Sequence, residues 1–138
     1  MRIAFDTNVV LDAIIEGREG GANAKQLILA VAQEKAEGLI SANSITDIYY
    51  IARKYLGDVK AREAIYRILT VFDIIAIGED DCLTALEQPM ADFEDAVLAV
   101  CSKRSGADYI VTRDKEFLAS SSPVPAIAPN ALITLLQQ

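Results

Sequence analysis

Arg2-Ile3-Ala4-Phe5-Asp6-Thr7-Asn8 is the stretch that decides the fold. Ile3 to Phe5 is a short apolar run ending in a polar triplet, and Val9, Val10, Leu11, Ala13, Ile14 and Ile15 follow as a helix-length apolar patch. A continuous apolar run fits a strand buried on both faces, so the segment reads as strand, tight turn, helix. Asp6 then sits at the carboxyl end of the first strand.

Working outward, the same alternation recurs. Ala24 to Glu37 has helical spacing, with Gly38 as its stop, and Leu39 to Ala42 is a short strand. Ser44 is a plausible N-cap for a helix reaching Gly57, and Asp58 can cap another running to about Leu69. Val71 to Ile77 is β-branched and apolar and reads as a strand; Glu79 to Leu86 is a short helix, and Asp92 to Ser105 a longer one ended by Gly106. Tyr109 to Thr112 is a strand, a short helical stretch reaches Leu118, Ala126 to Ala128 is an edge strand, and Asn130 to Leu136 is a last helix. Strands alternating with helices predict an α/β protein, an α/β/α sandwich around a central, mainly parallel sheet, with residues 1–138 forming one domain.

Composition narrows the chemistry. With 52% hydrophobic residues the chain can bury a substantial core. It has no run of about 18 apolar residues and no basic leader, so no membrane association and a cytoplasmic location are expected. Histidine is absent, which excludes Ser-His-Asp, Cys-His and HExxH catalysis. Cys82 and Cys101 form no CxxC and are expected to be core thiols. A net charge of −7 opposes nonspecific binding to nucleic acid, so any RNA or DNA substrate requires local neutralisation.

In an open parallel sheet, ligands bind outside the carboxyl ends of the strands. Asp6, Asp47 and Asp114 each follow a predicted strand end or open a neighbouring helix, and Asp95 lies one turn into the Asp92 helix. Each has a structural reading: Asp6 as a helix cap, Asp47 in a Ser44-x-x-Asp47 capping box, Asp92, Glu94 and Asp95 as acids favoured by a helix dipole, Asp114 as a turn former. Asp95 fits that explanation poorly, because Ala96, Val97 and Leu98 flank it. Four carboxylates in one cleft repel by roughly 4 kcal/mol per pair about 4 Å apart, unless cations occupy it. Oxygen-only ligands select Mg²⁺ or Mn²⁺, and two such ions can activate water and stabilise the leaving oxygen in phosphodiester hydrolysis.

Phe5-Asp6-Thr7-Asn8, Ser41-Ala42-Asn43-Ser44-Ile45-Thr46-Asp47-Ile48, Asp92-Phe93-Glu94-Asp95-Ala96 and Ala107 to Phe117 together resemble PIN domains, including the VapC toxins of bacterial toxin–antitoxin systems. The resemblance covers nearly the whole chain. It implies a metal-dependent endoribonuclease, with Asp6 and Asp95 as principal metal ligands, Asp47 as the helix acid and Asp114 as the fourth acid. Thr7 or Asn8 would support the Asp6 turn, and Thr112 would orient a carboxylate or water. In-line attack by an activated water would leave a 5′-phosphate and a 3′-hydroxyl. An RNA substrate, an antitoxin that places an arginine against the carboxylates, and a homodimer are implied with it.

Two departures stand out. Many relatives carry glutamate at the Asp47 position, so the shorter side chain would reach an ion through water. Asp114 stands where many have asparagine, leaving the fourth acid open between Asp114 and Glu116, with the spacing from Asp95 favouring Asp114. Asp92 is a candidate accessory acid. Arg53, Lys54, Lys60, Arg62 and Arg67 form the densest basic stretch, either a rim to the substrate groove or a solvated helix face. Two rivals compete. A haloacid-dehalogenase-type phosphatase would need an acid where Asn8 stands and a lysine better placed than Lys103. A catalytically silent PIN-like module would bind RNA or protein without binding metal.

Overall fold

The computed structural model describes all residues from Met1 to Gln138. Its strands are β1 (Arg2–Phe5), β2 (Glu37–Ser41), β3 (Asp73–Ile75), β4 (Tyr109–Val111) and β5 (Ala126–Ile127). They lie in the order β3-β2-β1-β4-β5, and every pairing is parallel. The helices are α1 (Thr7–Ile14), α2 (Gly21–Ala32), α3 (Ala42–Leu56), α4 (Asp58–Val71), α5 (Glu79–Leu86), α6 (Phe93–Arg104), α7 (Lys115–Leu118) and α8 (Pro129–Leu136). None is long and apolar enough to cross a membrane.

Strand side chains alternate between two cores, which is why the strands read as continuous apolar runs. Ile3 and Phe5 of β1, Ile40 of β2 and Val111 of β4 enter one core with Val9, Val10, Leu11, Leu27, Ile48 and Leu132 from the helices. Ala4, Leu39 and Ile110 face the other way, against Leu98, Ala99, Cys101 and Phe117. This is the expected α/β/α layering. Phe5 meets Phe72 edge-on, with ring centroids 4.9 Å apart.

From β1 the chain winds outward through β2 to β3, then returns to lay β4 on the opposite side of β1. The connections leaving the adjacent strands β1 and β4 therefore diverge. A crevice opens between their carboxyl ends, the preferred ligand position in such sheets.

Several expected boundaries move. The helix expected to reach Glu37 ends at Ala32, closed by Glu34 N–H to Val31 O at 3.0 Å and Lys35 N–H to Ala30 O at 2.9 Å. Glu34 takes the left-handed position of that motif, φ 60°, where glycine is usual and the sequence carried no signal. Gly38, expected to stop this helix, instead lies inside β2: a Cβ there would come within 2.5 Å of the Phe72 ring and 2.8 Å of Val31. α3 begins at Ala42, so Ser44 is not its cap but a buried residue of its first turn. Asp58 is the first residue of α4, with Gly57 ahead of it at the cap position. Val71 belongs to α4, and β3 spans only Asp73–Ile75. Cys101 is buried as expected, but Cys82 is exposed on α5, because that helix buries its opposite side through Asp81 and Ala85.

Acidic pocket at the carboxyl edge of the sheet

Asp6 directly follows β1, and its backbone N–H still pairs with Val111 O of β4 at 3.0 Å, extending the sheet by one residue. Although Asp6 occupies the cap position of α1, its side chain makes no cap hydrogen bond. Its Oδ2 instead accepts from Thr112 Oγ1 at 2.8 Å, and that same hydroxyl accepts from the Asp114 N–H at 3.1 Å. Thr112 is fully buried, so the turn after β4 is fastened to the end of β1 by one hydroxyl. Thr7 Oγ1 donates to Ser44 Oγ at 2.9 Å, and Ser44 is in turn 2.9 Å from Ser41 Oγ, which locks the start of α1 to the start of α3.

A pocket of about 460 Å³ opens here, lined by Asp6, Thr7, Asn8, Asp47, Tyr50, Ile51, Asp92, Glu94, Asp95 and Asp114. Six of these are carboxylates, and none is a lysine or arginine. Asp6, Asp47, Asp95 and Asp114 are thus brought to one place, while Glu116 is exposed and does not line the pocket. Asp92 and Asp114 also play the structural parts open to them: Asp92 caps α6 by accepting from the Asp95 N–H at 3.0 Å, and Asp114 accepts from the Glu116 N–H at 2.9 Å. Asp47 is not part of a capping box, since it lies in the second turn of α3.

The electrostatics match that crowding. Burial pushes the Asp95 carboxyl up to about 7, reinforced by the charges of Asp92, Asp6, Asp114 and Glu94. Burial also raises Asp6, against the hydrogen bonds from Thr112 and the Thr7 backbone, and the charges of Asp114 and Asp92 add to the rise. Glu94 is raised by burial and then by Asp47, Asp92 and Asp6. Glu94 is a pocket residue the sequence reading missed, because it lies within the acid run that opens α6 and was absorbed into the helix-dipole explanation.

Whether a cation suits this place follows from its donors. Six carboxylates supply hard oxygens, no lysine or arginine lines the pocket, and burial, with the neighbouring carboxylates after it, raises both Asp6 and Asp95. No three of the acids converge as a ready-made coordination shell. The chemistry and charge of the pocket fit a divalent ion of the Mg²⁺ or Mn²⁺ type.

A second cluster braces the first. Asp12 on α1 is 1% exposed, and both its oxygens are engaged by guanidinium groups: Arg18 Nε donates to Oδ1 at 2.8 Å, Arg113 Nη2 to Oδ1 at 2.9 Å, and Arg113 Nε to Oδ2. Burial alone would raise this carboxyl, but the hydrogen bonds from Arg113 and Arg18 outweigh it and hold it below the usual range. Arg113 lies between Thr112 and Asp114, so the pair anchors the turn that carries both. Gly20 leaves the necessary room, since a Cβ there would fall 2.4 Å from Asp12 Oδ2. The sequence signal for Asp12 is an acid set inside the apolar patch of α1.

The five basic residues considered as a groove rim do not line the acidic pocket. They are exposed along α3 and α4, and Arg62 is paired with Asp58 at 3.0 Å. They are solvated helix faces there, since the side of α3 that turns to the pocket carries Asp47, Tyr50 and Ile51.

Five parallel strands between helical layers, with carboxylates gathered where the strand order reverses, define an α/β protein with an acidic edge site. The PIN domain profile matches residues 2–116, and the chain belongs to that family. Among individual proteins, it is 28% identical over 121 residues to Ribonuclease VapC1 of Aquifex aeolicus (strain VF5), covering 84% of this chain and 83% of that relative. Solved structures share the fold. VapC20 of Mycobacterium tuberculosis, a Sarcin-Ricin loop cleaving toxin, superposes with TM-score 0.71 at 18% identity over 87% of this chain and 95% of its own. A toxin-antitoxin complex from Klebsiella pneumoniae gives TM-score 0.68 at 23% identity, with 92% and 97% covered. VapBC2 from Rickettsia felis, bound to a DNA fragment from its promoter, gives 0.70 at 16% identity, with 93% and 98% covered.

Proposed function

We propose that this PIN domain is an endoribonuclease that hydrolyses RNA phosphodiester bonds with Mg²⁺ or Mn²⁺, the toxin of a toxin–antitoxin pair. One observation carries the reading: six carboxylates line one pocket without a lysine or arginine, and Asp95 is pushed up to about 7 there. The similarity to Ribonuclease VapC1 supports it.

In this reading Asp6, Asp95, Asp47 and Asp114 hold the ion. When bound, the ion supplies the positive charge that favours an ionised water and a departing alkoxide. The chain's own residues do the rest. Thr112 fixes the Asp6 carboxylate through its hydroxyl, Arg113 and Asp12 hold the turn that carries Asp114, and Glu94 and Asp92 deepen the negative field that recruits the cation. The products carry 5′-phosphate and 3′-hydroxyl ends.

The protein acts in the cytoplasm as a homodimer, and its antitoxin presents an arginine to the carboxylates, as a lining without lysine or arginine invites. Several of the similar solved structures are toxin–antitoxin complexes, in keeping with such a partner. Incubating the protein with unstructured single-stranded RNA tests the proposal. Cleavage in Mg²⁺ or Mn²⁺ that stops in EDTA is expected. A protein that neither cleaves RNA nor binds Mn²⁺ by calorimetry is the silent module instead.

A further inference from the structure

Beside the acidic pocket, α3 and α4 enclose a second hollow of about 450 Å³, whose walls include Tyr49, Tyr50, Arg62, Tyr66 and Leu69. Tyr50 lines both spaces, so the two adjoin at its side chain. Tyr50 is 60% exposed and Tyr66 71% exposed, an unusual outlay of aromatic surface. The remaining polar groups are already occupied. The Tyr49 hydroxyl donates to Asp58, Arg62 Nε donates to both Asp58 oxygens at 3.0 and 3.1 Å, and the Arg62 guanidinium lies 5.4 Å from the centre of the Tyr49 ring. What this face offers a ligand is exposed aromatic surface and little net charge.

We infer that the Tyr50–Tyr66 face is a base-stacking platform for single-stranded RNA that holds nucleotides flanking the bond placed at the acidic pocket. The inference rests on the ribonuclease reading. In a chain of net charge −7 whose pocket is lined by no lysine or arginine, little besides the bound ion holds the phosphates. Its affinity then has to come from contacts indifferent to charge, and stacking on aromatic rings is one: each stacked base contributes enough to change affinity about 5- to 100-fold. Tyr50 sits where backbone and base contacts meet. The Arg62 plane, neutralised by Asp58, extends the same surface as a stacking group. The face adjoins the pocket proposed for phosphodiester chemistry through Tyr50, where nucleotides next to the cleaved bond would lie.

The chain has no tryptophan and five tyrosines, three of which line this face, so the loss of the quenching signal in the Tyr50 and Tyr66 variants assigns it to the face. The full-length Asp6→Asn protein is titrated with an unstructured RNA ten-mer and with the same oligomer made abasic. Quenching by the first and at least tenfold weaker binding of the second are expected. Added singly, Tyr50→Ala and Tyr66→Ala should each weaken the RNA at least fivefold, with Tyr50→Phe restoring affinity and circular dichroism unchanged. Equal affinity for abasic RNA, or Tyr→Ala variants that bind as tightly as the parent, overturns the platform. Loss of binding that follows dissociation of a dimer in sedimentation also overturns it and assigns the face to a second copy of the chain. Wild-type cleavage assays separate the two claims: cleavage with the platform refuted leaves the enzyme reading intact, and stacking without cleavage refutes the enzyme alone.

Discussion

Thr112 Oγ1 donates a 2.8 Å hydrogen bond to Asp6 Oδ2 and so joins the carboxyl end of β4 to that of β1 at the floor of the acidic pocket. In the proposed function Asp6 binds the ion, and a hydroxyl that orients such a carboxylate should affect function more than stability. Thr112→Val should lower metal-dependent cleavage by about tenfold or more and cost about 1–3 kcal/mol of folding free energy, since the Asp6 carboxylate and the Asp114 N–H both lose a partner. Thr112→Ser should retain most activity. Steady-state rates and urea denaturation read the two effects separately.

Asp12 carries the larger structural load. Asp12→Ala removes the buried acceptor of two guanidinium groups, and Arg18 and Arg113 are themselves partly exposed, 26% and 37%, so water takes up some of the loss. A destabilisation of about 2–3 kcal/mol follows, below the figure for a fully buried pair. The same variant should loosen the turn bearing Asp114 and weaken Mn²⁺ binding. Calorimetry below the unfolding temperature checks this.

Glu34 offers a gain instead of a loss. It holds φ 60° at the end of α2, a conformation that costs a residue with a Cβ about 1 kcal/mol and glycine almost nothing. Glu34→Gly should stabilise the protein by about 1 kcal/mol, raising the melting temperature by about 3 °C. A calorimetric scan decides it.

The metal-free protein should respond to pH through its acids. Asp95 and Asp6 bind protons more tightly folded than unfolded, so their contribution is fully present below about pH 4 and is lost as pH rises, for Asp95 through about 7. Asp12 and Asp81 shift the opposite way, and their stabilisation is lost only at lower pH. Between pH 5 and 8, denaturant midpoints in EDTA should therefore fall. Millimolar Mn²⁺ should restore the midpoint strongly at pH 8 and little at pH 5, because protons compete for the same oxygens.

Much of this was legible in the sequence. The apolar runs of β1, β2 and β4 gave the parallel sheet because both faces of each strand are covered, and the acids at their carboxyl ends pointed to one crevice. The structure brings Asp6, Asp47, Asp95 and Asp114 together there. What escaped depended on tertiary contact: Gly38 reads as a helix stop until the Phe72 ring is seen against it, and Glu34 does what glycine usually does. Glu94 was hidden among neighbouring acids. The Asp12–Arg113 pair joins residues 101 positions apart, a separation no local pattern reveals.

In the proposed function Asp6 holds the ion with which RNA is cleaved. Wild-type and Asp6→Asn proteins, purified identically and matched by circular dichroism, are incubated with single-stranded RNA in Mg²⁺, and cleavage rates are measured. The account predicts a loss of about 100-fold or more in the variant, with wild-type products ending in 5′-phosphate. Cleavage by Asp6→Asn at the wild-type rate would contradict it.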